Sequence, residues 1–139
     1  MKLFKPKVTK YKKIKTGSLK KSTRKSAKLN FGNVGLQSIE SGYVSSNQLK
    51  AIYQYLIKNL KRKGKFWINL IADIPVTSKP LEVRMGKGKG KVSFWVARVA
   101  AGKIIIEITS YKLNIKNLVE YLKQVNYKLS IKTKIIKYH

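Results

Sequence analysis

The chain of 139 residues contains no cysteine and a single histidine, His139, at its last position. Without thiols it can form neither a disulfide nor a thiolate metal site, and it has no cysteine nucleophile. A histidine at a chain end lacks the scaffold that positions a titrating catalyst. The sequence therefore predicts no bound metal and no cofactor.

Acidic residues are scarce. Five Asp and Glu face 32 Lys and Arg, which gives a net charge of +27. A free globular protein of this size would repel itself at such a charge, so we expect a polyanion to be its normal environment. The few carboxylates are not clustered in sequence, and this scarcity argues against acid–base or metal-assisted catalysis. The composition predicts a binding protein and not an enzyme.

Long apolar runs are also missing. A membrane-spanning helix needs about 20 apolar residues, whereas Phe66-Trp67-Ile68 is already followed by Asn69. The apolar share of 43% and the aromatic share of 10% nevertheless lie near globular values. The length suits one domain with a real core. We expect a single folded body with a charged exterior.

The first 28 residues are rich in cations and contain no acidic residue. Their apolar residues follow no sustained helical or strand period, which favours an extended arm ordered by contact with phosphates. A mitochondrial presequence is the alternative, but such segments are Arg-rich and amphipathic, whereas this one is dominated by lysine. The predicted organisation is a basic arm over residues 1–28 and one domain over residues 29–139.

Two helices are predicted from apolar spacing. Ser45 and Gln48 have the spacing of a capping box, and Gly64 is the predicted left-handed cap at the end of the first helix. The second helix is predicted from Asn114 as its cap. The apolar positions at three- and four-residue steps are Leu49, Ile52, Tyr53, Leu56, Ile57 and Leu60, then Ile115, Leu118, Tyr121, Leu122 and Val125.

The remaining patterns predict strands. Short segments broken by glycine occupy residues 29–44, and two prolines are expected to limit strand pairing over residues 73–80. Further strands are predicted at residues 66–71, 81–83, 92–100, 104–108 and 129–137. The predicted fold class is α+β, with two helices on one mainly antiparallel sheet.

The most distinctive segment is the cationic loop Arg84-Met85-Gly86-Lys87-Gly88-Lys89-Gly90-Lys91. Its glycine spacing fits neither the dinucleotide fingerprint G-x-G-x-x-G nor the P-loop G-x-x-x-x-G-K-[ST]. A flexible basic finger that follows polyphosphate remains, with lysines as mobile charges and Arg84 as a planar fork. The alternative is a solvated hairpin tip with incidental lysines.

Two motifs give a resemblance to a known family. Residues 84–90, with Phe94-Trp95 after them, resemble the signature loop of the bacterial and organellar large-subunit ribosomal protein L-sixteen family. Lys63-Gly64-Lys65-Phe66-Trp67-Ile68, followed by Pro75-Val76-Thr77 and Lys79-Pro80, resembles its other signature. The resemblance covers nearly the whole chain and implies an α/β-hammerhead fold. It also implies a structural role in the large ribosomal subunit.

The same resemblance implies the partners. They are large-subunit rRNA, A-site tRNA near the peptidyl-transferase region, and neighbouring ribosomal proteins. It gives Arg84, Lys87 and Lys89 as contacts to rRNA or tRNA phosphate. The predicted RNA-binding residues are Lys7, Lys10, Lys12, Lys13, Arg24, Lys61, Arg62, Lys63, Lys65, Lys79, Arg84, Lys87, Lys89 and Lys91. The chain departs from the family in its preference for lysine over arginine, which removes bidentate forks.

Two other functions stay open at this point. An RNA-processing or RNA-modifying factor would need Asp73, Glu82 or Glu107 as acid, base or metal ligand. A peripheral protein of acidic membranes would need a helix with lysines opposite an unoccupied apolar face. We expect neither membrane binding nor a homo-oligomer.

Abundant lysine, isoleucine and asparagine suit A+T-rich codons. This composition indicates an organelle or an A+T-rich organism. Together with the resemblance it gives a mitochondrial ribosome as the expected location, with a plastid or a bacterial cytoplasm as alternatives. Because no presequence is recognised, a mitochondrial chain is expected to be made inside the organelle.

Overall fold

A computed structural model describes residues 4–19 and 28–137. Its elements follow the chain in the order β1 (Val34–Ser38), β2 (Gly42–Ser45), α1 (Ser46–Leu60), β3 (Gly64–Ile68), β4 (Ile74–Ser78), β5 (Lys91–Val99), β6 (Ile104–Ser110), α2 (Ile115–Asn126) and β7 (Thr133–Lys137).

The described strands form two antiparallel sheets. One has four strands in the order β3-β6-β1-β7, and the other has three in the order β2-β5-β4. The α+β class with two packed helices is confirmed, but the strands are divided between two sheets where the sequence predicted one. The division separates the long β5 hairpin from the sheet that β6 and β1 form.

Helix α1 begins as predicted. The Ser45 hydroxyl accepts a hydrogen bond from the Gln48 N–H at 3.2 Å, and the Ser45 N–H donates to the Gln48 side chain at 2.8 Å. The prediction that Gly64 caps its end is wrong, because Lys61 takes the left-handed position with φ 39°. Gly64 instead opens β3, where an added Cβ would lie 2.5 Å from the Thr109 carbonyl oxygen.

Both helices use their apolar stripes in the core. Helix α2 follows Asn114, which has the extended cap backbone but makes no side-chain capping bond. The buried side chains of the helices are Leu49, Ile52, Leu56 and Leu60 of α1 and Leu118, Leu122 and Val125 of α2. They pack with buried residues of both sheets, among them Leu36, Val99 and Ile106. No helix in the described ranges has the length and apolar character needed to cross a membrane.

The sequence misplaced strands around the glycine-lysine loop. Pro75 lies within β4 and pairs with Trp95 of β5, so the two prolines do not prevent pairing. Strand β4 is at an edge of its sheet, where a missing N–H donor is tolerated. Residues 81–83 form a turn and not a strand, with the Val83 N–H donating to the Pro80 carbonyl at 3.3 Å. The loop between β4 and β5 therefore spans residues 79–90.

Two strand ends also differ from prediction. Strand β3 stops at Ile68 and not at residue 71, and the side-chain amide of Asn69, just beyond its end, donates to the carboxylate of Glu107. Strand β7 begins at Thr133 and not at Leu129. The Leu129 N–H donates to the Asn126 carbonyl, so Leu129 belongs to the turn that follows α2.

The amino-terminal segment has no helix or strand over residues 4–19, but it is attached to the body. The Ala72 N–H donates to the Phe4 carbonyl at 3.0 Å, and the Phe4 ring meets Tyr53 edge-on at 5.8 Å. Further along, the Tyr43 hydroxyl donates to the Gly17 carbonyl at 3.4 Å. The segment therefore runs over the folded domain.

Glu107 of β6 is a fully buried carboxylate, 0% exposed. One of its oxygens accepts the backbone N–H groups of Asn30, Phe31 and Gly32 at 2.7–3.0 Å. Its other oxygen accepts the Asn69 side-chain amide at 2.9 Å. Burial acts to raise the pKa of Glu107, but these donors outweigh it and hold the pKa below the usual range. The charged form is therefore the one that the fold stabilises.

We expect Glu107→Gln to lower the free energy of unfolding by about 3 kcal/mol. The glutamine side chain carries no charge, and its NH2 group faces N–H donors where an acceptor is needed. Denaturant titration measures this change. Since the folded pKa is depressed, the stabilisation by Glu107 is complete above the ordinary value of 4.5 and disappears as pH falls through the folded pKa. Glu120→Gln, on the exposed side of α2, is the control, and equal stability of the two variants would contradict the assignment.

Candidate nucleic-acid interface

The loop between β4 and β5 has the backbone that its glycines predict. Gly86, Lys87 and Gly88 have φ values of 94°, 53° and 87°, in the left-handed region that favours glycine. Gly90 is needed for a different reason, since an added Cβ would lie 2.3 Å from the Ser78 carbonyl oxygen. The tip is therefore bent by positive φ angles, and its base is closed by a tight contact between two backbones.

The amino-terminal segment lies against this loop. The Lys13 Nζ donates to the Lys89 carbonyl at 2.8 Å, and the Lys89 Nζ donates in return to the Ile14 carbonyl at 2.6 Å. An open hollow of about 700 Å³ lies between them, lined by residues of the loop and by Lys13. The sequence predicted the arm and the loop as separate RNA contacts, and the structure joins them into one surface.

The cations of this surface fall into two groups. The side chains of Lys13, Lys79 and Lys89 donate to backbone carbonyls and so help to hold the arm and loop in place. Those of Arg84, Lys87 and Lys91 make no hydrogen bond or ion pair to any described residue. All six are exposed. The second group is free to bind phosphate without breaking an internal contact.

A second basic group lies where α1 passes into β3. Lys61, Arg62 and Lys63 occupy the turn, and Lys65 lies in β3. The turn is fixed by its backbone, with the Lys63 N–H donating to the Leu60 carbonyl at 2.6 Å and the Ser110 hydroxyl donating to the Lys63 carbonyl at 2.5 Å. The three cations of the turn and Lys65 of β3 are all exposed.

The rest of the predicted site residues lie in the arm. Lys7, Lys10 and Lys12 are exposed, and the Lys10 ammonium lies 5.5 Å from the ring centroid of Tyr11. Arg24 lies outside the described residues, as does His139. Lys13 joins the basic arm to the loop, whereas the basic group at the end of α1 lies on a different element.

The carboxylates do not neutralise this surface. Within residues 4–19 and 28–137 no ion pair joins a carboxylate to a Lys or Arg side chain. Glu40 accepts the Lys132 backbone N–H at 2.9 Å, and Glu107 accepts backbone and amide donors. Since these acids are occupied by backbone donors, the positive charge remains available to a partner.

Sequence reasoning missed two long-range contacts. It treated Glu107 as an isolated carboxylate, because its donors come from a segment about 75 residues earlier. It also missed the stacking of Phe31 on Trp67, whose ring centroids are 5.6 Å apart. Neither feature leaves a local pattern, although glutamate in an apolar strand was a sign that buried donors must be present.

The geometry weighs against the two other functions. An enzyme would need a carboxylate free to act, but the oxygens of Glu107 are filled, and Asp73 and Glu82 lie exposed on separate segments. The described residues include no group of three potential metal ligands among His, Cys, Asp and Glu. A peripheral membrane helix would need a vacant apolar face, whereas both helices bury theirs in the core.

The fold and the surface together define a small α+β protein of the polyanion-binding class, with a basic arm docked on a basic loop. Comparison with known families gives a match over almost the whole chain. The model of the family Ribosomal protein L16p/L10e matches residues 6–136, and the chain belongs to this family of ribosomal proteins.

Individual relatives agree over almost their whole length. The chain is 42% identical over 135 residues to large ribosomal subunit protein uL16 of Hyphomonas neptunium, covering 97% of this chain and 96% of that one. It is 40% identical over 134 residues to large ribosomal subunit protein uL16c of Cyanidium caldarium, covering 96% and 94%. The relatives are structural ribosomal proteins and not enzymes, which confirms the non-enzymatic prediction.

The close contact at Gly90 gives a test of the loop geometry. We expect Gly90→Ala to lower the free energy of unfolding by about 1–3 kcal/mol, because the Ser78 backbone cannot move aside without disturbing the hairpin. Trypsin should also cleave the loop lysines of this variant faster.

Met85→Ala is the control in the same loop, because that side chain is 95% exposed. If Gly90→Ala matched Met85→Ala in both stability and cleavage, the loop would not be closed by the contact with Ser78.

Proposed function

We propose that the chain is a structural constituent of the large ribosomal subunit that binds large-subunit rRNA and helps to position A-site tRNA near the peptidyl-transferase region. The observation that carries this proposal is the joined surface of arm and loop, where Arg84, Lys87 and Lys91 are exposed and unpaired among the described residues. The relatives are named as proteins of the large ribosomal subunit, which supports the proposal that this chain belongs to that subunit.

The binding mechanism follows from the charges. A polyphosphate backbone releases condensed counterions when lysines neutralise its phosphates, so affinity comes mainly from electrostatics. The chain has 32 cations against five carboxylates, and folded RNA supplies the missing negative charge. In this mechanism the arm, residues 1–28, lies along rRNA, and the domain, residues 29–139, presents the loop and the turn after α1. Neighbouring ribosomal proteins complete the set of partners.

The division of labour within the loop supports a role beyond simple rRNA binding. Lys13 and Lys89 hold the loop against the arm, so the loop has a defined direction before a partner arrives. Arg84 and Lys87 are exposed beyond these contacts. A cationic tip on a supported base is suited to meet a second RNA, and we assign the tip to tRNA and the arm to rRNA.

The proposed location is a mitochondrial ribosome, with the protein encoded in the organelle. A plastid or a bacterial cytoplasm is the alternative, and the relatives come from Cyanidium caldarium and from bacteria. The lysine-rich and isoleucine-rich composition supports an A+T-rich genome. Localisation of a tagged chain, followed by sedimentation with large subunits, distinguishes the compartments.

The electrostatic mechanism predicts a steep salt dependence of binding to a large-subunit rRNA fragment. A plot of log affinity against log salt concentration should have a slope of roughly −0.7 to −0.9 for each neutralised phosphate. Lys12→Ala, an exposed lysine of the arm assigned to rRNA, should weaken binding and reduce the magnitude of the slope by about one such unit. Filter binding or anisotropy at several salt concentrations measures both quantities.

Lys50→Ala, an exposed lysine on α1, is the control for loss of one charge. It should leave the slope nearly unchanged, since no predicted contact involves it. An affinity for the fragment that hardly varies with salt would refute the electrostatic mechanism.

The tip should matter more for tRNA than for folding. We expect Arg84→Ala combined with Lys87→Ala to weaken A-site tRNA binding to reconstituted subunits roughly tenfold or more, since a hydrogen bond to a charged group contributes about 1.5–3 kcal/mol. The free energy of unfolding should change by less than about 0.5 kcal/mol because these exposed side chains make no hydrogen bond or ion pair to a described residue.

The measurement is equilibrium binding of tRNA to subunits that have incorporated the variant in full. Incorporation shows that rRNA binding is intact and separates the two roles. Unchanged tRNA binding in such subunits would remove the loop from the tRNA site.

A further inference from the structure

An aromatic pair lies exposed outside the surface formed by the arm and loop. The rings of Phe31 and Trp67 are stacked, with centroids 5.6 Å apart and an interplanar angle of 28°. Phe31 is nevertheless 61% exposed. Its ring therefore covers Trp67 with one face and offers the other face to solvent.

The position of Phe31 is fixed from below. Its backbone N–H donates to the buried carboxylate of Glu107 at 2.7 Å, between similar bonds from its two neighbours. Gly32 allows this close approach, because an added Cβ would lie 2.8 Å from the Ile108 backbone nitrogen. A large apolar ring thus stands exposed on a backbone fixed by hydrogen bonds, where it gains little from its own burial.

One cation lies on the same strand as the lower ring of the pair. Lys65 is exposed and lies two residues before Trp67 in β3, so both side chains project from the same face of the strand. The opposite face contributes Phe66, whose ring contacts Tyr53 of α1. Strand β3 is at the edge of its sheet, beside an open hollow of about 490 Å³ that Lys65 and Trp67 help to line. Within residues 4–19 and 28–137 no second strand covers this edge.

We propose that the exposed face of Phe31, supported by Trp67, stacks an unpaired nucleobase of RNA, with Lys65 taking the adjoining phosphate. This inference rests on the proposed function, because it names a second contact with the same class of partner. Aromatic rings beside cations are the usual means of holding unstacked bases, since every base has a π-face. The charge of the chain favours RNA over an acidic peptide, which would lack the base.

The test separates base stacking from phosphate attraction. The full chain is titrated with a fluorescently labelled oligoadenylate of about ten nucleotides and with an abasic ribose-phosphate chain of equal length. Phe31→Ala should weaken binding of the oligoadenylate roughly tenfold and leave binding of the abasic chain unchanged. Phe31→Tyr should retain most of the affinity. The fold should survive Phe31→Ala, because the bond to Glu107 comes from the backbone.

The salt dependence gives a second readout. Phe31→Ala should lower affinity without altering the log–log slope, since stacking releases few counterions, whereas Lys65→Ala should reduce the slope by about 0.7. Tyr127→Ala is the control, because that ring is 81% exposed at the end of α2. Photocrosslinking of an oligomer containing 4-thiouridine should map to Phe31 or Trp67.

Distinct outcomes overturn distinct statements. Equal loss of affinity for the base-containing and abasic chains, or equal effects of Phe31→Ala and Tyr127→Ala, would overturn the stacking proposal and leave the rRNA-binding function intact. Crosslinking of this edge to a protein neighbour in assembled subunits, and not to RNA, would overturn it in favour of a peptide partner. Absence of salt-dependent binding to both chains and to the rRNA fragment would refute the proposed function itself.

Discussion

A buried carboxylate organises the side of the fold that faces β3. Glu107 lies in the central region of the four-stranded sheet, and its oxygens collect donors from residues 30–32 and from Asn69. These donors are in segments far apart in sequence, so one charge fixes the entry to β1 and the exit from β3 together. Leaving such a charge unpaired in the interior would be costly, which makes the arrangement cooperative.

The described lysine and arginine side chains carry the opposite charge to Glu107 and lie at the surface, whereas Glu107 is buried. Among the described residues the cations are at the surface, and no carboxylate forms an ion pair with them. The interior is an ordinary apolar core built from both sheets and both helices. The protein therefore folds by burial of apolar side chains, while its exterior is shaped for a highly charged partner. Stability and binding depend on different sets of residues.

The sequence predicted the elements with strong periodicity and failed where long-range contacts decide. Helix α1 and its capping box were predicted from local spacing, because both bonds lie within four residues. Pro75 and Pro80 were expected to limit strand pairing, but the edge position of β4 could be known only from the order of the sheet. Gly64 was expected as a cap, but Lys61 took that conformation and released Gly64 to β3.

The predicted RNA-binding cations are exposed wherever the structure describes them, as composition alone suggested. Their grouping was not predictable from sequence. The Lys13 Nζ donates to the Lys89 carbonyl, 76 positions away, and the Lys89 Nζ donates to the Ile14 carbonyl, 75 positions away. These two bonds tie the arm and the loop to one another. Binding at the two segments is therefore thermodynamically linked. A partner that orders the arm also reduces the conformational entropy that the loop tip must lose when it binds its own ligand. The two RNA contacts proposed for arm and loop would thus assist each other through a pair of lysine ammonium groups.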